Sequence, residues 1–292
     1  MGKGEGAKTG KAAGVRLTHP EKPLWPEAGV SKQDLLDHYR AVWERLKPFL
    51  LDRPLTLVRS PDGRKRFFQQ HAWAGMPGAV RRSIDPADGQ ELLYVSDFDG
   101  LAALVQFGTV EIHGWGSTVK RLDRPDQITF DLDPDEGVGL DSVRAATIEI
   151  RRMIEARGLT PFVKTSGGKG FHITAPIRPE AGWADVERFA SSLAHGLAEA
   201  APDRFTATSV KAERKGRIFV DYLRNNPNAT TVLPWSSRAK PKATVAVPIT
   251  WEALESGVGP ADFTIGSDKL GQALAAPDPW AGFWEVARPL PS

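Results

Sequence analysis

The stretch Asp126-Gln-Ile-Thr-Phe-Asp-Leu-Asp-Pro134 is the most informative part of this chain. In an extended strand, side chains i and i+2 point to the same face, so Asp131 and Asp133 share one face while apolar side chains occupy the other. Two carboxylates held this close repel each other unless a cation lies between them, and such oxygen pairs suit Mg²⁺ or Mn²⁺. Because Pro134 cannot donate to a sheet ladder, the strand is expected to end there, with the carboxylates at its C-terminal end.

The same residues also fit an acidic turn. Asp-Pro is a common turn opener, and Asp135 and Glu136 continue the run of carboxylates. From this segment alone, a metal site and a solvated acidic loop are equally good interpretations. Other parts of the chain must decide between them.

Helix-like and strand-like segments alternate on both sides of this stretch. Amphipathic helices are predicted from Lys32 after the N-cap Ser31, over 141–158 with Asp141 as N-cap, and over 183–200. Hairpin-like neighbours also occur, so we predict an α/β (α+β) fold with mixed β-sheets flanked by helices. Residues 1–14 are rich in Gly and Lys and are expected to be a disordered tail, which leaves 15–290 as a single domain.

Composition excludes several classes of protein. The 292 residues include no cysteine, so there is no disulfide, thiolate metal site or cysteine nucleophile, which fits a reducing cytoplasm. No apolar run approaches the roughly 20 residues that a membrane span needs, and the N-terminus lacks the apolar core of a secretory signal. No membrane partner is expected. A formal charge of only +2 does not indicate nucleic acid, so the local charge clusters have to be examined.

A third carboxylate, Asp221, ends the β-forming run Arg217-Ile-Phe-Val. Two carboxylates close in sequence and one distant carboxylate are what a two-metal nucleotidyl-transfer site requires. The alternative is that Asp221 caps a turn into Arg224-Asn-Asn-Pro227, and for this segment taken alone the turn is the favoured interpretation.

The segment Lys164-Thr-Ser-Gly-Gly-Lys-Gly-Phe-His172 is typical of an anion-binding loop. Small residues such as Gly168 let backbone N–H groups approach a phosphate, and Lys169 adds a point charge. Ser166 and His172 flank the loop and could hydrogen-bond a phosphate or a sugar. The residue order is not that of a P-loop. A hairpin turn and a buried imidazole are the alternatives for these residues taken singly.

Two basic clusters add features of nucleic-acid binding. In Arg64-Lys-Arg-Phe-Phe68, cations are followed by adjacent aromatic rings, which single-strand and template contacts use for salt links to phosphate and for stacking on bases. The second cluster occupies 211–217, directly ahead of Asp221. The alternatives are a hairpin tip with one Phe in the core for the first cluster and a solvated loop for the second.

Three of these motifs, in this order, resemble a known family. They are Asp-Leu-Asp-Pro at 131–134, Ser-Gly-Gly-Lys-Gly-Phe-His at 166–172 and Val-Asp-Tyr-Leu-Arg-Asn at 220–225. Together they resemble the primase-polymerase domain of the bacterial ATP-dependent end-joining DNA ligases of type D, in the archaeo-eukaryotic primase superfamily. The resemblance covers nearly the whole chain and implies the primase-like catalytic core of that superfamily. The combination is specific, whereas each motif alone is not.

The resemblance implies a role for each motif. Asp131, Asp133 and Asp221 would be the catalytic carboxylates, holding Mn²⁺ or Mg²⁺ in a two-metal site. Contacts to the nucleotide would come from matches to the phosphate and sugar ligands of the family: His113, Ser166, Gly168, Lys169, His172, Arg224 and Arg238. Contacts to DNA would come from matches to its 5′-phosphate grip, template stack and primer loop: Lys22, Lys32, Arg64, Phe67, Phe68, Lys211 and Arg214. Arg224 is a departure, since several relatives carry Gln there.

The implied function is a metal-dependent, template-directed nucleotidyltransferase that extends primer ends with NTPs or dNTPs and fills gaps during non-homologous end joining. The implied partners are DNA with 5′-phosphate gaps or 3′-overhang ends, a ligase domain in cis or in trans, and the Ku end-binding protein. The expected location is cytoplasmic and nucleoid-associated. A de novo primase, a non-catalytic nucleic-acid-binding module and a metal-dependent nuclease are the alternatives.

Overall fold

The computed structural model describes residues 17–291, so the expected tail over 1–14 lies outside the described residues. The strands are β1 Pro23–Trp25, β2 Val30–Ser31, β3 Leu55–Arg59, β4 Phe67–Gln69, β5 Arg81–Ile84, β6 Glu91–Tyr94, β7 Thr109–Gly114, β8 Gln127–Pro134, β9 Phe162–Thr165, β10 Phe171–Pro176, β11 Phe205–Thr206, β12 Ile218–Asp221, β13 Thr231–Val232 and β14 Pro248–Ile249. The helices are α1 Lys32–Leu50, α2 Phe98–Gln106, α3 Leu140–Glu155, α4 Trp183–Ala200, α5 Trp251–Glu255 and α6 Asp268–Ala275. Within 17–291, none of the helices is both long enough and apolar enough to cross a membrane.

Two six-stranded sheets organise these elements. The first has the order β11-β12-β8-β10-β9-β14 and is mixed, because β11 and β12 are parallel while the other neighbours are antiparallel. The second has the order β13-β7-β3-β6-β5, with β4 paired to β3. Strands β1 and β2 form a separate antiparallel ribbon. The mixed sheets and the interleaved helices confirm the predicted fold class.

Strand β8 lies inside the first sheet, between β12 and β10, and one of its faces is apolar. Ile128, Phe130 and Leu132 are each only 1% exposed and belong to one large hydrophobic core, which α3 and α4 complete with their own apolar faces. The alternating residues, including Asp131 and Asp133, therefore point to the opposite face. Because pairing continues through Pro134, the acidic-turn interpretation of this segment is wrong.

Helix α1 begins as predicted and then fixes a distant segment of the site. The Ser31 hydroxyl accepts from the Asp34 backbone N–H, and the Asp34 carboxylate accepts from the Ser31 N–H, which forms a capping box. One turn later His38 donates from Nε2 to the Trp235 carbonyl at 2.9 Å, and the Tyr39 hydroxyl lies 3.1 Å from the hydroxyl of Ser237. The buried face of α1 thus holds the residues that directly precede Arg238.

Helix α3 starts differently from the prediction. Its N-cap is Gly139, which makes no side-chain cap, and the helix begins at Leu140. Asp141 lies inside the first turn, where its carboxylate accepts from Arg144 at 2.7 Å. The prediction of Asp141 as the N-cap is therefore wrong. An acidic residue inside the first turn also interacts favourably with the helix dipole, so its presence indicates a nearby helix start without identifying the N-cap.

Close packing at Gly170 provides a test of the β8–β10 pairing. A Cβ at Gly170 would lie 1.9 Å from the Leu132 carbonyl oxygen, whereas a Cβ at Gly168 would meet nothing closer than the Ser166 hydroxyl at 3.4 Å. We expect Gly170→Ala to lower the free energy of unfolding by about 2–3 kcal/mol, because a rigid backbone atom has to move. Gly168→Ala is the matched control in the same chemical-denaturation series and should cost less than about 1 kcal/mol. Equal losses for the two variants would contradict this packing.

Candidate active site

The register of three neighbouring strands brings the acidic residues together. Asp131 on β8 lies directly opposite Asp221 on β12 and directly opposite His172 on β10. Asp133 follows two residues after Asp131 on the same face of β8. The two Asp residues at the strand end and the distant Asp221 are therefore neighbours in the fold, as the spacing of the motifs predicts.

Arginine side chains lie against all three carboxylates. A terminal nitrogen of Arg224 is 2.8 Å from Asp221 Oδ2 and 3.8 Å from Asp131 Oδ2, and Arg214 is 3.1 Å from Asp133 Oδ2. Burial and the nearby charge of Asp131 raise the pKa of Asp221 despite Arg224. Burial would also raise the pKa of Asp131, but His172, Arg224 and Lys164 together hold it well below its usual range.

The donor chemistry of this cluster fits a hard divalent cation. Asp131, Asp133 and Asp221 offer anionic oxygen donors on one face, which is the ligand type that Mg²⁺ and Mn²⁺ prefer. In the part of the chain that the structure describes, no three His, Cys, Asp or Glu side chains are arranged closely enough to hold a metal ion. The positive charge beside the carboxylates comes instead from Arg214 and Arg224, so a bound metal would take the place of these guanidinium groups.

A buried lysine and histidine support Asp131 from the side of β10. His172 Nε2 lies 3.2 Å from Asp131 Oδ1, and His172 Nδ1 lies 3.0 Å from the Lys164 ammonium nitrogen. Burial lowers the pKa of His172 to about 4 and that of Lys164 to about 7, and the charge of Arg238 adds to the effect on Lys164. Both ring nitrogens of His172 are thus already engaged, and the ring is neutral at pH 7.

A cavity of about 350 Å³ opens beside the carboxylates. Asp131 and Asp133 line it, as does every residue predicted to contact a nucleotide: His113, Ser166, Gly168, Lys169, His172, Arg224 and Arg238. Leu132, Gly170, Thr230, Thr231, Val232 and Lys240 complete the wall. Anionic side chains and cationic side chains therefore face the same space, which suits a ligand that carries phosphates and approaches a metal.

The glycine-rich loop is held from within and from the side. The Ser166 hydroxyl accepts from the backbone N–H groups of Gly168 and Gly170 at 3.1 and 3.3 Å. The Arg238 guanidinium donates to the Ser166 carbonyl, and the Thr244 hydroxyl donates to the Gly167 carbonyl at 2.6 Å. Gly167 has φ +65° and lies so close to Arg238 that a Cβ would be 2.6 Å from its side chain. These contacts explain why glycine is needed there.

The residues predicted to bind DNA fall into two groups. Phe67 and Phe68 on β4 are 43% and 72% exposed, and Arg64 and Lys211 are exposed as well. Lys32 is buried and donates to the Thr18 carbonyl at 2.7 Å. Burial lowers the pKa of Lys32, and the positive charge of the nearby Lys22 lowers it further. Arg214 is mostly buried, with its guanidinium 3.9 Å from the centre of the Phe219 ring. The exposed side chains of the first group are open to a ligand, whereas Lys32 and Arg214 are engaged within the fold.

Sequence reasoning missed three buried residues that shape the site. Lys164 contacts His172, Glu111 contacts both His113 and Arg238, and Asn225 bonds to both backbone groups of Thr129 on β8. Lys164 stands in the segment 164–172 and Asn225 in the motif at 220–225, but no neighbouring residue in the sequence indicates that either side chain is buried. Glu111 stands two residues before His113, and that spacing on a strand was the one available signal.

Comparison with known proteins identifies the family. A family model described as the primase-polymerase domain of LigD matches residues 31–280. The chain belongs to this family. Membership confirms the resemblance seen in the motifs, and it confirms the expected class of enzyme, a nucleotidyltransferase.

Individual relatives give the same picture. The multifunctional non-homologous end joining protein LigD of Pseudomonas aeruginosa is 38% identical over 95% of this chain and 34% of its own length. Its counterpart from Mycolicibacterium smegmatis is 32% identical over 82% of this chain and 32% of its own length. The polymerase domain of Mycobacterium tuberculosis ligase D, solved in complex with DNA, superposes with a TM-score of 0.84 at 28% identity, covering 94% of this chain and 99% of that one. The chain spans about a third of the length of these two curated relatives.

Lys164 supplies a test of the electrostatics beside the carboxylates. Its lowered pKa of about 7, against an ordinary 10.5, means that the folded protein binds fewer protons than the unfolded chain between those values. Stability should therefore rise with pH across this window. We expect Lys164→Met to remove this rise, which is on the order of a few kcal/mol, in urea unfolding measured from pH 7 to 10.

The exposed Lys169 on the neighbouring loop is the control for this experiment. Lys169→Met should leave the slope of stability against pH as it is in the unmodified protein. If Lys164→Met keeps the full slope, Lys164 does not lose its proton in the folded state.

Proposed function

We propose that this protein is a metal-dependent, template-directed polymerase that extends primer 3′ ends with NTPs or dNTPs and fills gaps during the end joining of double-strand breaks. The observation that carries the proposal is that Asp131 and Asp133 line the same cavity as Lys169 and Arg238. Carboxylates able to bind metal and cations able to bind a triphosphate are the two halves of a nucleotidyl-transfer site. The end-joining names of its relatives support the biological setting.

In the proposed reaction, the primer 3′-hydroxyl attacks the α-phosphate of the bound nucleotide and pyrophosphate leaves. Lys169, Arg238 and the loop N–H groups would hold the triphosphate and offset the charge that develops on the leaving pyrophosphate. His113 and Ser166 would contact the sugar. When bound to Asp131, Asp133 and Asp221, Mn²⁺ or Mg²⁺ would supply charge neutralisation and lower the pKa of the attacking hydroxyl.

We propose separate contacts for the parts of the DNA. Phe67 and Phe68 would stack on the template and Arg64 would contact its phosphates, because these side chains are exposed together. Lys22 and Lys32 would grip the 5′-phosphate of a gap or of the recessed strand at a 3′-overhang end. Lys211 and Arg214 would help to present a primer end, a role that fits their place on the loop beside Asp133.

We also propose the larger context of the chain. One hydrophobic core extends from Leu24 to Leu270, which supports residues 15–290 as one folding unit. Because the curated relatives are about three times as long, a ligase domain in cis or in trans is the proposed partner, together with the Ku end-binding protein. Action on DNA breaks implies a nucleoid-associated protein of the cytoplasm.

The decisive experiment is extension of a primer on a 5′-phosphorylated gapped duplex with NTPs and dNTPs, in Mg²⁺ and in Mn²⁺. We expect Asp133→Ala to reduce extension by at least about 10³-fold, because a metal ligand is lost, while DNA binding persists. Glu136→Ala removes an exposed carboxylate three residues away and is the matched control. Near-normal extension by Asp133→Ala would refute the proposed site.

The same assay separates the alternatives. Synthesis without any primer would identify a de novo primase, and shortening of labelled DNA in the absence of nucleotides would identify a nuclease. DNA binding without extension under any condition would leave a binding module.

Phe68 provides a test of the template contact. Its side chain is 72% exposed, so removing it should not affect folding, whereas loss of a base stack costs about 1–3 kcal/mol. We expect Phe68→Ala to weaken binding to a gapped duplex by about tenfold or more in a fluorescence anisotropy titration, with an unchanged melting temperature.

Ile84→Ala is the control, since Ile84 is also an exposed apolar residue, at 57%, but has no ring to stack. Equal affinity of the Phe68→Ala and Ile84→Ala variants would contradict the template role.

A further inference from the structure

Glu111 is a buried carboxylate whose contacts all lead toward the nucleotide cavity, although it does not line that cavity itself. Its Oε1 lies 2.5 Å from His113 Nε2. Its Oε2 accepts from the Ala239 backbone N–H at 2.7 Å and lies 3.1 Å from Arg238 Nε. These groups, His113 above all, hold the pKa of Glu111 well below its usual range despite burial, so the side chain is an anion at neutral pH.

An anionic Glu111 determines which nitrogen of His113 carries the proton. A carboxylate can only accept hydrogen bonds, so the Nε2 that faces it must carry the hydrogen. In a neutral ring, Nδ1 then has no proton and is available as an acceptor. Among the described residues, no hydrogen-bond partner is found for His113 Nδ1, and His113 lines the cavity. Glu111, which does not itself line the cavity, therefore determines the tautomer of His113.

The other oxygen of Glu111 connects this strand to the glycine-rich loop. Arg238 and Glu111 form an ion pair in which Nε lies 3.1 Å from Oε2 without making a hydrogen bond, and the Arg238 terminal nitrogen donates to the Ser166 carbonyl. Arg238 therefore lies between β7 of the second sheet and the loop that precedes β10 of the first sheet. One carboxylate thus orients a side chain on each of two walls of the same cavity.

We propose that Glu111 is a positioning residue for the incoming nucleotide, which fixes the Nε2–H tautomer of His113 and the orientation of Arg238. This inference rests on the proposed function, in which the cavity binds an NTP or dNTP. A purely structural role is a poorer explanation, because burying an ion for stability alone gains little over an apolar side chain. On this account the cost of burial is offset by a cavity that is already arranged when the nucleotide arrives.

Glu111→Gln is the sharpest test, because it keeps the shape of the side chain but replaces one acceptor oxygen by an NH₂ group that donates. The Ala239 N–H can only donate, so the amide oxygen has to take the place of Oε2. The amide NH₂ then faces His113 Nε2 and donates to it, which moves the ring proton to Nδ1. The ring nitrogens of His113 should therefore exchange their ¹⁵N signatures in NMR spectra of the nucleotide-free protein, recorded near about pH 8, where an ordinary histidine is neutral.

Two controls isolate this effect. His38 donates from Nε2 to the Trp235 carbonyl at 2.9 Å, so its ring signals should be the same in both proteins. Glu91 on β6 likewise accepts from a backbone N–H, that of Ala72 at 2.9 Å, and lies 3.6 Å from an arginine, but it is remote from the cavity. Glu91→Gln should change neither the His113 signals nor the kinetics.

The kinetic prediction separates positioning from folding. We expect Glu111→Gln to raise the KM for the incoming nucleotide about tenfold with little change in kcat, because ground-state and transition-state binding are weakened alike. Exchanged ring signals together with the raised KM support the proposal. A folded Glu111→Gln variant with unchanged ring signals or an unchanged KM overturns it.

The unmodified protein provides a check that needs no variant. If its His113 ring carries the proton on Nδ1, the proposal fails even when Glu111→Gln does not fold. If the unmodified protein shows the Nε2–H ring but extends no primer, the proposed function fails while the contact between His113 and Glu111 stands, so the two failures are distinguishable.

Discussion

The repulsion between Asp131 and Asp221 is the constraint on which the site depends. Cross-strand partners have Cβ atoms about 5 Å apart, and at an effective dielectric constant of about 20 two like charges at that distance repel by about 3 kcal/mol. That is a large part of the net stability of a typical domain, about 5–15 kcal/mol. The fold places this pair inside a sheet, so positive charge must lie beside it. Arg224 supplies that charge here, 2.8 Å from Asp221 and 3.8 Å from Asp131, and the proposed divalent cation would supply it in the same place.

The two sheets meet at the cavity because distant segments are anchored to each other there. Helix α1 holds the backbone at Trp235, and the next residues carry Arg238 into contact with Glu111 on one side and the Gly167 loop on the other. A substrate bound in this cavity would touch both sheets at once. Packing of α1, on the far side of this segment, therefore contributes to the precision of the site.

Local patterns in the sequence predicted the parts of the site that local physics determines. The alternation of apolar and acidic residues in β8 set the face of Asp131, and the Ser31 capping box set the start of α1. The importance of Lys164 and Glu111 was not predictable in this way. Each stands in a strand as a charged residue, which usually means an exposed face, and only the register of distant segments shows that each is buried against a partner. The predicted N-cap Asp141 was wrong for a related reason, because the same acidic residue favours several positions in a first turn.

Arg224 shows how one side chain changes the balance of charge in such a site. Its guanidinium pairs with Asp221 and also reaches Asp131, so it reduces their mutual repulsion without a metal ion. A neutral side chain at this position would leave that repulsion for a metal ion to relieve. On the proposed function, each carboxylate would exchange an arginine for a metal ion, so the net gain from metal binding would be smaller than the attraction of bare carboxylates. The freed guanidinium would remain next to the cavity, where an anionic nucleotide would compensate its charge, so metal entry and nucleotide binding would be coupled.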